Sequence, residues 1–359
     1  MTNTHPTLLR ARAFCERFGL RVPILLAPMA GACPPSLSIA VANAGGLGAC
    51  GALVMQPKAI LEWAAEVRGR SNGAFQLNLW VPDPPPKRDP AHEQEIRRFL
   101  AQWGPEVPIE AGSATPLDFS AQCDALLNAA PPIVSSVMGL YPPEFVARLK
   151  ARNITWFANI STVAEARAAE AAGADVVVAQ GMEAGGHRGC FDAARAEHEL
   201  VGLFALLPAV VDAVRIPVVA TGGIADGRGV AASLLLGASA AQIGTAFLRC
   251  PEAKTPPAWA EALAVTPPEG TIVSRVFSGR AGRSIATDYV RAATASSAPA
   301  PAPYPVQRGL TSAMRESGSK AGDVHRMQVW AGQSAAMARA EPAEAVVRRI
   351  WQDTQALLA

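Results

Sequence analysis

A chain of 359 residues, half of them apolar and 17% charged, can bury a large core, since chains of this size hide roughly three quarters of their unfolded surface. That composition excludes a disulfide-stapled miniprotein, a coiled coil and a disordered tail. A formal net charge of +2 with scattered basic residues argues against nucleic acid as a partner, and six cysteines without a C-x-x-C pair read as reduced, mostly buried thiols of a cytoplasmic protein rather than a metal or redox site.

Taken in chain order, Met1 to Leu9 is polar and carries no apolar signal core, so no secretion is expected. From Val22 to Pro57 no residue is charged, a run longer than the roughly 20 residues of a membrane span. Pro23, Pro28, Pro34 and Pro35, then Gly45, Gly46, Gly48 and Gly51, would break such a helix, and they fit strand, turn, helix and strand in a buried core. No membrane partner is expected.

Eight short apolar runs follow one another: Ile24–Met29, Leu47–Ala52, Phe75–Trp80, Ile133–Met138, Ile154–Asn159, Asp175–Gln180, Ile216–Thr221 and Ala240–Leu248. Between them lie alanine-rich segments of helical spacing such as Val163–Ala172 and Gly227–Leu236, an alternation that predicts a parallel sheet. Eight repeats in this span favour an α/β fold of the (β/α)8 TIM-barrel type over an open doubly wound sheet. Two stretches break the rhythm. Residues 82–116, with a charged helix near His92–Trp103, read as an elaborated loop, and 251–330, rich in Pro, Ala, Ser and Gly with a low-complexity tract at 293–305, reads as a small cap inserted after the eighth strand. The expected division is a barrel over 1–250, a cap over 251–330, and 331–359 returning to the barrel through a helix, Ala343–Leu358, whose apolar face holds Val346, Val347, Ile350, Trp351 and Leu357.

The seventh run ends in Thr221-Gly222-Gly223 and the eighth in Gln242-Ile243-Gly244-Thr245, the two loops that commonly build a phosphate site in such barrels. Glycine lets amides approach an anion, and a helix beginning near Asp226 offers its positive end. Turn formation alone is the other reading of these glycines. After the sixth run, Gln180-Gly181-Met182-Glu183-Ala184-Gly185-Gly186-His187 places one histidine on a flexible loop at the catalytic end, suited to moving a proton or hydrogen-bonding a developing anion. His5, His92, His198 and His325 are read as structural. Gly46-Leu47-Gly48-Ala49-Cys50-Gly51 matches G-x-G-x-x-G, but a helical stretch precedes it and the strand-like Leu53-Val54-Met55 follows, the wrong context for a dinucleotide. Ser317-Gly318-Ser319-Lys320 matches S-x-x-K without its companion motifs.

Ala27-Pro28-Met29-Ala30-Gly31, the Gln180 to His187 segment, Ala220-Thr221-Gly222-Gly223-Ile224-Ala225-Asp226-Gly227-Arg228 and Gln242 to Phe247 together resemble the nitronate monooxygenases, formerly 2-nitropropane dioxygenases. Phe277 to Arg280, Tyr304 to Gln307 and Trp330 to Gln333 extend the resemblance in order and spacing. It implies an FMN-dependent TIM barrel that uses O2 to convert alkyl nitronates, such as propionate 3-nitronate, to a carbonyl compound and nitrite, without NAD(P)H or metal, in a detoxifying or metabolic role. It further implies flavin contacts at Asn78, Gln180, Gly185, Gly222, Gly223, Gln242, Ile243, Gly244 and Thr245, and a catalytic His187. Arg280 or Arg283 could pair a substrate carboxylate, and Tyr304 could line the substrate pocket. The sequence departs from the family pattern at Arg308-Gly309, where another aromatic is expected, and at Ala281-Gly282. Both departures fall in the expected cap and bear on substrate preference.

The same barrel and histidine loop would also suit an NADH-dependent enoyl or quinone reductase, or a flavin-binding protein without turnover. A Schiff-base aldolase is disfavoured because Lys58, Lys87, Lys150, Lys254 and Lys320 all fall outside the expected strands. Assembly into a homo-oligomer stays open at this stage.

Overall fold

The computed structural model describes residues 6–359, so His5 lies outside the described residues. The strands are β1 (Ile24–Leu26), β2 (Gly48–Gly51), β3 (Phe75–Trp80), β4 (Ile133–Val137), β5 (Thr155–Ile160), β6 (Val176–Gln180), β7 (Gly186–His187), β8 (Val218–Thr221), β9 (Ala240–Ile243), β10 (Thr271–Ser274) and β11 (Gly282–Ile285). Eight of them form one parallel sheet in the order β1-β9-β8-β6-β5-β4-β3-β2. The sheet closes where Leu26 N donates to Leu47 O at 2.8 Å and Leu47 N to Ile24 O at 3.0 Å. This is a (β/α)8 barrel of the TIM type, and every expected apolar run supplies one of its strands.

The paired strands are shorter than the apolar runs. Ala240–Leu248 pairs only through Ile243 and then turns as a 3-10 helix, Thr245–Phe247; Phe247 and Leu248 stay buried because other segments pack over them. Leu53-Val54-Met55 is not a strand but a turn leading into the helix Pro57–Arg70. β2 has already completed its pairing with β3 at Gly51↔Asn78.

Period-two alternation sorts the barrel interior into two levels. Leu25, Ile133, Phe157, Val176, Val178, Val219 and Ala240 form an apolar plug with Phe14 and Cys15, and Phe18 of the helix Pro6–Phe18 meets Phe157 edge-on at 5.2 Å. Further along the same inward faces come Asn78, Ser135, Asn159, Gln180, Thr221 and Gln242, all buried polar residues. Polar groups thus gather at the C-terminal ends of the strands, the catalytic end of such barrels.

The two irregular stretches share a core. Asp89 starts the helix Pro90–Leu100 by accepting from Ala91 N and His92 N at 3.1 Å, a side-chain cap for otherwise unpaired amides. Ile96, Leu100 and Val107 then pack with Val276, Phe277, Tyr289, Val306, Leu310 and Met314. β10, β11 and β7 form a second, antiparallel sheet. The chain ends on the helix Ala343–Leu357, which buries Val346, Val347 and Ile350 while Leu357 is exposed. It lies close on the helix Gly227–Leu235, where a Cβ on Gly227 would stand 2.5 Å from Asp353 Cβ. Among the described residues no helix is long and apolar enough to cross a membrane, and all six cysteines are buried and unpaired.

Candidate active site

The polar upper level of the barrel opens into a cavity of about 420 Å³, within the usual range for small-ligand sites. Asn78, Asn159, Gln180, Thr221 and Gln242 form its floor and wall, Gly185 to His187, Gly222-Gly223 and Gly244-Thr245 its loops, and Arg308, Arg315 and Trp330 close it from above.

His187 is held rather than mobile. The residues Gly186 and His187 are β7, paired antiparallel with β11 through His187↔Gly282, and Arg188 N donates to Ala281 O at 2.8 Å. Gln180 fixes the same segment from below: its Nε2 donates to His187 O at 3.1 Å and its Oε1 accepts from Gly189 N at 2.7 Å. The glycines make the segment thin instead of loose, since a Cβ on Gly185 would lie 2.5 Å from Gly332 N.

The ring of His187 stands between Trp80 and Trp330, at centroid distances of 4.9 and 4.8 Å. Its Nε2 lies 2.7 Å from Ser278 Oγ. Burial first, and then the positive charges of Arg280 and Arg308, push its pKa down to about 3. The ring is therefore neutral near pH 7, one nitrogen a donor and the other an acceptor, with Ser278 deciding which.

Several expected contacts have different work. Each end of the Gln180 amide makes one hydrogen bond within the protein, so Gln180 positions the histidine segment while it also lines the cavity. Asn78 Nδ2 donates to Ser135 O and Oγ at 3.2 and 3.0 Å, and Gln242 Oε1 accepts from Gln76 Nε2 at 3.1 Å; their opposite amide ends remain for a ligand. Ile243 is buried in the layer between strands and helices, away from the cavity wall. The helix Gly227–Leu235 does not present a free positive end, because Asp226 Oδ1 accepts from Arg228 N and Gly229 N at 3.1 and 3.2 Å. What remains for an anion is the loop backbone: the amides of Gly223 and Gly244 donate to no acceptor among the described residues, and Thr245 Oγ1 accepts from Gly332 N at 3.0 Å, leaving its proton to donate.

Arg280 and Arg283 are not available to a substrate. Arg280 is 1% exposed; its Nε donates to Asp83 Oδ2 at 2.8 Å and its Nη1 to Cys190 O at 2.9 Å. Arg283 donates to Met182 O and Thr271 Oγ1, both at 2.9 Å. Tyr304 stacks on Trp80 at 4.7 Å, outside the cavity wall, so it braces a wall residue. The cavity instead receives Arg308 and Arg315, and it has Trp80 and Trp330 at the histidine. Trp80 was legible by parity, two residues beyond Asn78 on β3; Arg308 and Arg315 had no signal beyond the departure at 308, because their approach depends on how the cap folds back.

The model of the family described as nitronate monooxygenase matches residues 13–353. The chain belongs to the nitronate monooxygenase family. It is 36% identical over 348 residues to a nitronate monooxygenase of Paraburkholderia phytofirmans, covering 95% of this chain and 94% of that one. With a nitronate monooxygenase of Pseudomonas aeruginosa the figures are 37% over 349 residues, 95% and 98%. Among solved structures, nitroalkane oxidase from Streptomyces ansochromogenes superposes with a TM-score of 0.87 at 36% identity, covering 95% of this chain and 98% of that one. FabK from Thermotoga maritima gives 0.75 at 26% identity, with 96% of each chain covered. Members of the nitronate monooxygenase family are flavin-dependent in general.

Proposed function

We propose that this chain is an FMN-dependent nitronate monooxygenase that uses O2 to convert alkyl nitronates to a carbonyl compound and nitrite, with His187 as its catalytic residue. The observation that carries the reading is the neutral His187, clamped between two tryptophans at a cavity whose floor is polar and whose wall holds no carboxylate.

The residues present fit a flavin. Asn159 Nδ2 is buried on the cavity wall with no hydrogen-bond partner among the described residues; with Asn78 Oδ1 and Gln242 Nε2 it offers donors and an acceptor to the polar edge of an isoalloxazine ring. The unpaired amides of Gly223 and Gly244, with Gly185, Gly222 and the Thr245 hydroxyl beside them, would cradle the phosphate. FMN held there would supply the redox chemistry with O2.

The protein's own share is to position and to exclude water. A nitronate has already lost its carbon-bound proton, so the site needs no strong base, and a ring with a pKa near 3 is a poor one. His187 instead hydrogen-bonds the nitro oxygens, while Trp80 and Trp330 keep water from both faces of the ring. We read 1–250 as the cofactor barrel, 251–330 as the substrate cap and 331–359 as the return to the barrel. Its buried free thiols suit the cytoplasm.

The test is nitrite release from propyl-1-nitronate compared with its parent 1-nitropropane, each supplied fresh to FMN-loaded protein. Fast release from the nitronate and slow release from the nitroalkane is expected. Equal rates from both would show that the site removes the carbon proton itself, and this account of His187 would fail.

A further inference from the structure

Gln76 fills a gap in the seam of the barrel. Leu47 N donates to Ile24 O and Leu26 N to Leu47 O, a parallel pattern whose next bond would run from Ala49 N to Leu26 O. Ala49 N donates instead to Ser38 Oγ at 3.1 Å, and the same hydroxyl donates to Ala49 O at 2.6 Å. Leu26 O is met by a side chain in its place, Gln76 Nε2 at 3.4 Å. The second proton of that amide goes to Gln242 Oε1 at 3.1 Å. Gln76 lies two residues before Asn78 on β3, is fully buried and forms no part of the cavity wall.

Two protons and two acceptors fix which way round this amide lies. A carbonyl oxygen only accepts, so a reversed Gln76 would set its own oxygen against Leu26 O. With Nε2 held there, Gln242 must offer its oxygen to Gln76. Its Nε2 then turns to the cavity that Gln242 lines. The backbone of Gln242 is held as well, its O accepting from Thr221 Oγ1 at 2.9 Å. A main-chain carbonyl of β1 thus decides, through Gln76, that the cavity meets a donor at Gln242. Gln76 Oε1 has no partner among the described residues, a burial that costs stability and that an apolar side chain would avoid.

We propose that Gln76 is a positioning residue that acts through Gln242 to aim a hydrogen-bond donor at the flavin and so favours its reduced form. The inference rests on the FMN reading above. The polar edge of an isoalloxazine ring gains negative charge on reduction, and a donor aimed at that edge holds the reduced ring more tightly than the oxidised one.

The test is the two-electron midpoint potential of bound FMN, read by anaerobic reductive titration against a reference dye in wild type, Gln76→Met, Gln242→Met and the double variant. Gln76→Met keeps the length of the side chain and removes both donated bonds. It is expected to lower the potential by about 30 to 60 mV, a tenfold to 100-fold weaker preference for the reduced flavin in a two-electron couple, the scale of a hydrogen bond to a charged group. Gln242→Met should lower it by as much or more. The double variant should match Gln242→Met, because Gln76 has nothing left to orient. Gln76→Leu takes the place of Gln76→Met if the latter does not fold, and Gln242→Met, on the cavity wall, reads by itself whether the donor bears on the potential. An unchanged potential in either single variant, or shifts that add in the double one, would overturn the inference and leave FMN binding standing. A wild type that takes up no FMN would remove the flavin reading and the inference with it.

Discussion

His187 Nε2 and Ser278 Oγ lie 2.7 Å apart, and that contact joins the catalytic-end histidine of the barrel to the segment just ahead of β11. Ser278 is itself fixed, accepting from Arg280 N at 3.3 Å, and its one proton goes to His187 Nε2 at 2.7 Å rather than to the more distant Arg280 O at 3.2 Å, which leaves Nδ1 as the donor of the ring. Orientation of the ring therefore depends on a residue more than 90 positions later in the chain.

Ser278→Ala is expected to lower kcat about 10- to 100-fold, the scale of one hydrogen bond to a charged group lost when its donor is no longer oriented, while FMN content stays at the wild-type level. A stopped assay with quantified flavin checks both. Unchanged kcat would show that the two tryptophans alone orient the ring.

The depressed pKa of His187 has a defined sign in stability. Above pH 6.5 the ring is neutral in folded and unfolded chains alike and contributes no pH dependence. As pH falls from 6.5 towards about 3, the unfolded chain takes up a proton that the folded one refuses, so stability is lost over that window. Urea titrations at stepped pH should show a shallower decline for His187→Asn than for wild type. Arg280 and Arg308, the charges acting on the ring, are unchanged in that variant. Parallel declines would place the ring in contact with solvent.

The barrel was readable because its strands are apolar runs of period-two parity and its glycines sit at strand ends; those signals are local. Parity also exposes Trp80 beside Asn78. The roles of Arg280 and Arg308 were not readable, since Arg280 and Asp83 are 197 residues apart and Arg308 comes to the cavity only when residues 82–116 and the cap share one core. A lone arginine in sequence looks the same whether it ends in a buried ion pair or faces a ligand. The positioning role of Gln180 was not readable for a similar reason: its place at the mouth of the barrel was clear, but the partners of its amide come from the chain's own turn at His187 and Gly189.

Breaking the Arg280 and Asp83 pair should cost stability. Arg280 is buried, so Asp83→Ala leaves a cation without its counter-charge, a loss of about 3 kcal/mol by the measured range for buried pairs. Denaturant unfolding of the apo-protein reads this directly. A loss below about 1 kcal/mol, the usual value of a surface pair, would mean that the carbonyls of Cys190 and Phe191 suffice for Arg280.

Gly244→Ala tests the anion cradle. Its backbone lies at φ −112°, open to any residue, and the added Cβ would meet Ala27 Cβ at 3.3 Å and Met29 Sδ at 3.4 Å, contacts that small shifts relieve. The variant keeps the amide but sets a methyl against Ala27 and Met29 on the cavity wall, so it should fold with near wild-type stability yet bind FMN at least about tenfold more weakly, the scale of an overpacked contact. Fluorescence titration of apo-protein with FMN gives the affinity; an unchanged value would move the phosphate elsewhere.

Mixing FMN-loaded protein anaerobically with propionate 3-nitronate in one cell and NADH in another, while following the visible flavin bands, separates a nitronate monooxygenase from a reductase on the same barrel. The nitronate should bleach the flavin and NADH should not. Bleaching by NADH alone would make the protein a reductase, and an apo-protein that takes up no FMN would rule out both.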